Sequence, residues 1–65
     1  MQVYEVIADA FKRDGISYAE LGRRCGIDRD KLRLSLIGER ELRPSELVKL
    51  SMYFNISMSD FHDAA

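Results

Sequence analysis

Residues 17–38 read SYAELGRRCGIDRDKLRLSLIG, and this stretch decides the fold of the chain. Ser17 with Glu20 three residues later is the pattern of a capping box, in which each side chain satisfies a free backbone N–H at a helix start. Gly26 then indicates a tight turn, because glycine readily adopts the left-handed conformation that ends many helices. The stretch therefore predicts a short helix that begins at Ser17 and stops near Gly26.

A second short helix follows this turn. Asp28 is expected to cap it by accepting from the free N–H groups of the first turn. Leu32 and Leu36 are four residues apart and share one face, which we expect to be buried. Gly38 closes the helix. Its outward face carries three basic side chains: Arg29, Lys31 and Arg33. This is the layout of a helix-turn-helix over about residues 17–38, which places its second helix in the major groove of DNA.

The flanking segments predict three more helices. The first helix covers about residues 2–13. The fourth begins at Pro44, whose missing N–H suits a first helical position, and stops near Asn55. Residues 57–61 repeat the capping pattern and predict a last short helix. Apolar residues at helical spacing form the expected core: Val3, Ile7, Ala10, Phe11, Leu21, Cys25, Leu32, Leu36, Leu47, Leu50, Phe54 and Phe61. The chain is thus predicted to be one all-α domain of five short helices over residues 1–65.

The composition limits the classes of function. The one cysteine, Cys25, excludes an internal disulfide, and the one histidine, His62, excludes a two-histidine metal site. No apolar run approaches the roughly 20 residues of a membrane span, and Glu5 and Asp9 interrupt the N-terminal apolar pattern that a signal peptide would need. No phosphate loop, nucleophile elbow or metal cluster occurs. We expect a cytoplasmic, non-catalytic protein without cofactor or metal.

The formal net charge of −1 conceals an uneven distribution of charged residues. Residues 23–43 hold seven basic and four acidic residues, a balance of +3, whereas the rest of the chain has a balance of −4. A basic centre between acidic ends is compatible with a small domain that binds DNA. The charge pattern therefore supports double-stranded DNA as a partner.

Three stretches carry a resemblance to a known family: ISYAELGRRCGI, DRDKLRLSLIGER and PSELVKLSMYFNISMSDF. They resemble the helix-turn-helix of the Cro and phage-repressor family, the lambda-repressor-like DNA-binding domain, over about three-quarters of the chain. The resemblance implies a transcriptional regulator of phage or prophage type that binds operator DNA through its third helix. It also implies a base-reading role for four residues on that helix: Arg29, Asp30, Arg33 and Leu34.

Chemistry at these positions fits such a role. Arginine can donate two hydrogen bonds to guanine, aspartate can accept from cytosine, and leucine can contact a thymine methyl group. Free N–H groups at the start of the second helix, beside Ser17 and Tyr18, suit a phosphate. Arg40 and Arg43 follow the recognition helix and suit contacts that set its register on the DNA backbone. Lys31 is a further candidate for a phosphate contact.

Two questions remain open at this level. Leu34 and Ile37 form an apolar strip on the third helix, and together with the acidic net charge they favour an alternative: a protein-interaction module of antirepressor type that keeps the fold without strong DNA binding. A domain this small covers little of a DNA groove, so operator binding is expected to use a weak homodimer. We expect its interface near Tyr53 and Met58, which the filled inward stripe of the fourth helix leaves at the surface.

Overall fold

The computed structural model describes residues 2–61, and in this range the chain forms four α-helices and one 3-10 turn. The elements in chain order are α1 (Val3–Asp14), α2 (Tyr18–Cys25), α3 (Arg29–Leu36), α4 (Pro44–Phe54) and the 3-10 turn Met58–Phe61. No strand occurs within the described range, so the all-α prediction is confirmed there. The expected fifth α-helix is wrong, because four residues are too few to nucleate one and form a single tighter turn instead.

Side-chain caps start the two central helices. The Asp28 carboxylate accepts from the backbone N–H groups of Asp30 and Lys31 at 3.1 and 3.2 Å, as predicted. The Ser17 hydroxyl accepts from the N–H of Glu20 at 3.1 Å, which is half of the expected capping box. The other half is wrong, because the Glu20 carboxylate turns away to two arginines further along the same helix.

The helices end where the sequence places glycine or asparagine. Gly26 stops α2 with a φ of +68°, and Asn55 stops α4 with a φ of +56°, both in the left-handed region. Asn55 is the residue type, after glycine, that tolerates this conformation best. Behind it, the N–H of Ile56 donates to the carbonyl of Ser51 at 2.8 Å and thereby satisfies a terminal carbonyl of α4.

One small core holds the helices together. Ile7, Leu21, Leu32 and Leu50 are fully buried, one from each α-helix. Helix α1 packs against α3, α4 and the 3-10 turn, and α2 packs against α3 and α4. Partly buried aromatic side chains complete the core from its edges, among them Phe11, Phe54 and Phe61. This packing confirms the predicted inward positions of the four helices except that of Val3, which is only partly buried and does not pack against the buried cluster.

The described helices are all short, and none of them has the length and apolar character needed to cross a bilayer. His62 and the three residues after it lie outside the described range, as does the side chain of Met58. The expectation that Met58 contributes to a surface patch therefore lies outside the described residues.

Candidate nucleic-acid interface

The turn between α2 and α3 is held by one close backbone contact. The N–H of Ile27 donates to the carbonyl of Gly22 at 2.8 Å. A Cβ atom on Gly22 would lie 2.5 Å from the carbonyl oxygen of Ile27 and 3.6 Å from the Cα of Arg29. Gly22 therefore allows the start of α3 to lie directly against α2, and this contact sets the angle at which α3 leaves the turn.

Helix α3 turns one face inward and one outward. Leu32, Ser35 and Leu36 are buried, with exposed fractions of 0%, 0% and 4%. Successive residues of an α-helix are rotated by about 100°. This rotation places Asp30, Leu34 and Ile37 near the middle of the outward face. Arg33 lies on one flank of that face, with Arg29 further round on the same side, and Lys31 lies on the opposite flank.

The outward face differs in charge along its length. Arg29 and Asp30 are both exposed, and the Arg29 Nε lies 3.6 Å from the Asp30 Oδ1, a contact that water screens strongly. Arg33 and Lys31 are also exposed, and neither side chain has a salt-bridge partner within residues 2–61. Leu34 is only half exposed. The face thus offers two unpaired cations, Arg33 on one flank and Lys31 on the other.

Helix α2 carries its own charge cluster beside the turn. The Glu20 carboxylate accepts from Arg23 at 2.6 Å and from Arg24 at 3.2 Å. The hydrogen bond from Arg23 has the largest effect, and together with the one from Arg24 it lowers the pKa of Glu20 below its ordinary value. Both arginines remain largely exposed at their side chains, at 73% and 59%. One carboxylate therefore offsets part of the positive charge on this helix.

Arg40 is engaged inside the protein. Its guanidinium donates to both carboxylate oxygens of Glu46 at 3.1 Å and to the hydroxyl of the fully buried Ser35 at 2.7 Å. The Arg40 and Glu46 side chains are only 21% and 15% exposed. Arg40 thus joins the end of α3 to the start of α4. Its expected contact with a phosphate stays a prediction, and that contact would require these hydrogen bonds to open.

The other phosphate candidates have different surroundings. Ser17 is exposed but uses its hydroxyl as the cap of α2. The Tyr18 ring stacks on Phe11 with their centroids 4.4 Å apart, so the ring belongs to the edge of the core. Arg43 is exposed just before α4, and its backbone N–H donates to Glu46 at 3.0 Å. Of these three, Arg43 has the side chain best placed for contact with a partner.

At the end of α3 the structure adds a contact with α1 that the sequence did not indicate. Gly38 has a φ of +86°, and a Cβ there would lie 2.8 Å from the Tyr4 ring, so α1 covers the exit of α3 closely. Ile37, just before it, is 49% exposed on the outward face of α3. The Ser35 contact with Arg40 was also missed, since nothing in the spacing of Ser35, Arg40 and Glu46 indicates that they meet.

Cys25 is 6% exposed and lies in the core, as the sequence predicted. Its thiol is 4.0 Å from the carbonyl oxygen of Lys49 on α4. Burial raises the pKa of this thiol above its ordinary value. Within the described range, no group of three or more metal-binding side chains comes together.

Comparison of the chain with protein-family models, with curated proteins and with solved structures finds no match in any of the three. The geometry of α2, the turn and α3 therefore has to carry the functional argument without support from a relative.

Proposed function

We propose that this chain is a small, non-catalytic transcriptional regulator of phage or prophage type that binds double-stranded DNA through α3. One observation carries the proposal: Leu32 and Leu36 fix the inner side of α3 to the core while Arg33 stands exposed and unpaired, within residues 2–61, on the outer side. A short helix held in this way, with a cationic outer face, has the form that enters a major groove.

The outer face of α3 has the chemistry to distinguish base pairs. Arg33 on one flank can donate two hydrogen bonds to guanine, while Asp30 near the middle of the face can accept from cytosine N4. Arg29 on the flank can also reach a guanine, and the exposed part of Leu34 can contact a thymine methyl group. Lys31, on the opposite flank, and Arg43 suit phosphates, which fix register without reading sequence.

An unbiased selection of DNA sequences, run at low and at physiological salt, tests the proposal. If one motif is enriched, the affinity of Arg33→Ala for it should fall by about 1–3 kcal/mol, with relaxed preference at one base pair. Arg13→Ala is the matched control, because Arg13 is an exposed arginine at the far end of α1, and its removal should leave the preference unchanged. Equal weakening on every sequence would make Arg33 a phosphate contact instead.

The alternative function is a protein-interaction module, and the exposure of Ile37 favours it. At 49% exposed, this isoleucine gives the outer face of α3 an apolar end that phosphates do not need. If DNA selection enriches nothing even at low salt, the outer face of α3 has to be assigned to a protein partner. Under this alternative, Ile37→Ser should weaken the interaction with the protein partner. If the chain instead binds DNA, Arg33→Ala should weaken DNA binding.

A further inference from the structure

An exposed apolar face of α4 lies next to a cluster of cations. Val48 and Met52 are 57% and 76% exposed, and because they are four residues apart they stand on the same face of the helix. Tyr53, expected at the surface, is instead half-buried: it packs on the core and meets the Phe54 ring edge-on at 4.9 Å. The expected position of the exposed apolar patch is therefore corrected from Tyr53 to Val48 and Met52.

Met52 also borders an open cleft of about 660 Å³ between α4 and the end of α2. Three basic side chains line this cleft: Arg23, Arg24 and Lys49. The ammonium of Lys49 reaches toward the turn after α2 and lies 3.9 Å from the position that a Cβ on Gly26 would take. The cleft therefore has an apolar edge at Met52 and a cationic edge between α4 and α2.

The cationic edge stays positive after its own ion pairs are counted. The Glu20 carboxylate pairs with both arginines, whereas Lys49 forms no salt bridge with any residue in the range 2–61. Three cations against one carboxylate leave a local balance of +2 in a chain whose net charge is −1. None of the described residues that line the cleft is acidic. The cleft therefore attracts an anionic ligand.

We propose that this cleft and the adjoining face of Val48 and Met52 bind an acidic segment of another protein, in which apolar side chains stand beside carboxylates. The apolar side chains would pack on α4, while the carboxylates would accept charge-assisted hydrogen bonds from Lys49 and the two arginines. Methionine and arginine are both enriched in protein–protein interfaces, and the flexible methionine side chain adapts to a partner's shape. Phosphates alone would leave the apolar face uncovered, so the chemistry favours a protein over a nucleic acid.

A second copy of the chain fits this surface less well. The groove on the other side of Met52, which runs along α4 to Phe61, is lined only by uncharged residues among those described. Neither this groove nor the cleft offers a carboxylate, so two copies meeting here would cover the cations without pairing them, which is costly. The homodimer expected from the sequence stays a prediction, and the experiment below distinguishes it from an acidic partner.

The proposed surface is separate from the outward face of α3, since no residue of α3 lines the cleft. The inference therefore goes beyond the proposed DNA binding and does not depend on it. Arg23 and Arg24 stand beside the turn and can serve either a phosphate or a carboxylate. Lys49 and Met52 belong to α4, so the decisive substitutions are made there.

NMR titration of the isotopically labelled chain with synthetic helical peptides of about 15 residues tests the proposal. The acidic peptides carry a leucine stripe flanked on one edge by glutamates, and a matched set has glutamine at the same positions. The acidic set should shift the amide signals of Arg24, Lys49 and Met52, and added salt should weaken its binding. Lys49→Glu should lower the affinity for the acidic set by about 10-fold and for the glutamine set by much less. Met52→Ser should weaken the binding of both sets by about 10-fold.

Two variants outside the cleft are the matched controls. Lys12→Glu makes the same charge change at an exposed lysine of α1, and Ile37→Ser removes an exposed apolar side chain from α3. Both should bind the acidic peptides as the unaltered chain does, and circular dichroism confirms that every variant is folded. A loss in Ile37→Ser that Met52→Ser does not show would place the peptide on α3 and overturn the proposal.

The remaining outcomes also decide the occupant of the cleft. The proposal is overturned if no acidic peptide binds at about 1 mM and low salt, or if the glutamine set binds equally well. If Lys49→Glu weakens DNA binding as much as Arg33→Ala does, the cleft belongs to a nucleic acid instead. If the chain alone shows a mass above one copy in sedimentation and Met52→Ser lowers that mass, the cleft belongs to a second copy.

Discussion

Gly22→Ala tests whether the turn between α2 and α3 is as tight as the structure shows. Gly22 is inside α2, where alanine should be the better residue: it stabilises a helix by about 1 kcal/mol relative to glycine. Against this gain, the new Cβ would lie 2.5 Å from the carbonyl oxygen of Ile27, whereas real Cβ contacts essentially never fall below 3.0 Å. The two effects have opposite signs, so the measurement decides between them.

The cost of the contact should exceed the gain. The obstructing atom belongs to the backbone, and the N–H of the same residue, Ile27, already donates to Gly22 at 2.8 Å. Relief of the overlap therefore requires the whole turn and the start of α3 to move, and overpacking of this kind costs about 1–3 kcal/mol. With the helical gain subtracted, Gly22→Ala should destabilise the fold by up to about 2 kcal/mol, which lowers the Tm of so small a domain by up to roughly 10 °C.

The test compares thermal and urea unfolding of the unaltered chain, Gly22→Ala and Ala19→Gly. Ala19→Gly in the same helix is the control, because Ala19 is exposed and reports helix propensity alone, a loss of about 1 kcal/mol. If Gly22→Ala instead stabilises the fold by the amount that Ala19→Gly loses, the turn yields easily and the reasoning is refuted. The Gly22→Ala variant should also bind DNA more weakly than the unaltered chain, since the displaced turn would make α3 leave α2 at another angle.

Two further predictions concern buried and paired side chains. Because Arg40 holds the pKa of Glu46 below its usual range, the pair should stabilise the fold above pH of about 4.5 and lose that effect as the pH falls through the lowered pKa. Glu46→Gln should accordingly lower the free energy of unfolding by about 1–3 kcal/mol near pH 7 and by almost nothing under strong acid. The control Glu20→Gln, at a more exposed carboxylate, should lower it by less. Equal losses in the two variants would show that burial of the Arg40–Glu46 pair is unimportant. Burial raises the pKa of the Cys25 thiol, so its modification at pH 8 should follow the rate of global opening; modification at the rate of a free thiol would contradict its place in the core.

The sequence predicted the local structure well because the relevant interactions are local. Asp28 caps the residues directly after it, and Pro44 and Asn55 begin and end α4 through their own backbone preferences. The buried leucines follow from helical spacing alone. For the same reason the exposure of Lys31 and Arg33 was predictable, since each is rotated by about 100° from Leu32. Arg29 lies seven residues before Leu36 and so on nearly the same side of the helix, and its exposure does not follow from the spacing.

The errors arise where a side chain had a choice of partners. Glu20 could reach back to cap α2 or forward to Arg23 and Arg24, and it took the charged partners. Arg40 could remain in solvent, but its pairing with Glu46 depends on how the loop after α3 folds back, which residue spacing does not give. Such choices are settled by tertiary contacts that appear only when the helices are packed.

The position of the exposed apolar patch could have been predicted from spacing. If Leu47, Leu50 and Phe54 form the inward stripe of α4, rotation by about 100° per residue puts Met52 almost opposite that stripe. Tyr53 then lies at its margin, where a long aromatic side chain can fold onto the core. The filled inward stripe left no place for Tyr53 there, but its position at the margin of the stripe still lets the ring pack against the core.

The ion pairs also limit how strongly this surface can attract DNA. Seven basic residues lie between positions 23 and 43, but four of them have carboxylate partners: Arg23, Arg24, Arg29 and Arg40. Of the other three, Arg33 is assigned to a base, so Lys31 and Arg43 each neutralise one phosphate. Log K should then fall with log salt at a slope of about −2 per chain, against about −6 if all seven contributed. Glu20→Gln should make the slope steeper and the low-salt affinity higher, because it releases Arg23 and Arg24 for phosphate contact. An unchanged slope in that variant would mean that α2 lies away from the DNA, whereas a slope near −6 in the unaltered chain would mean that the ion pairs open on binding.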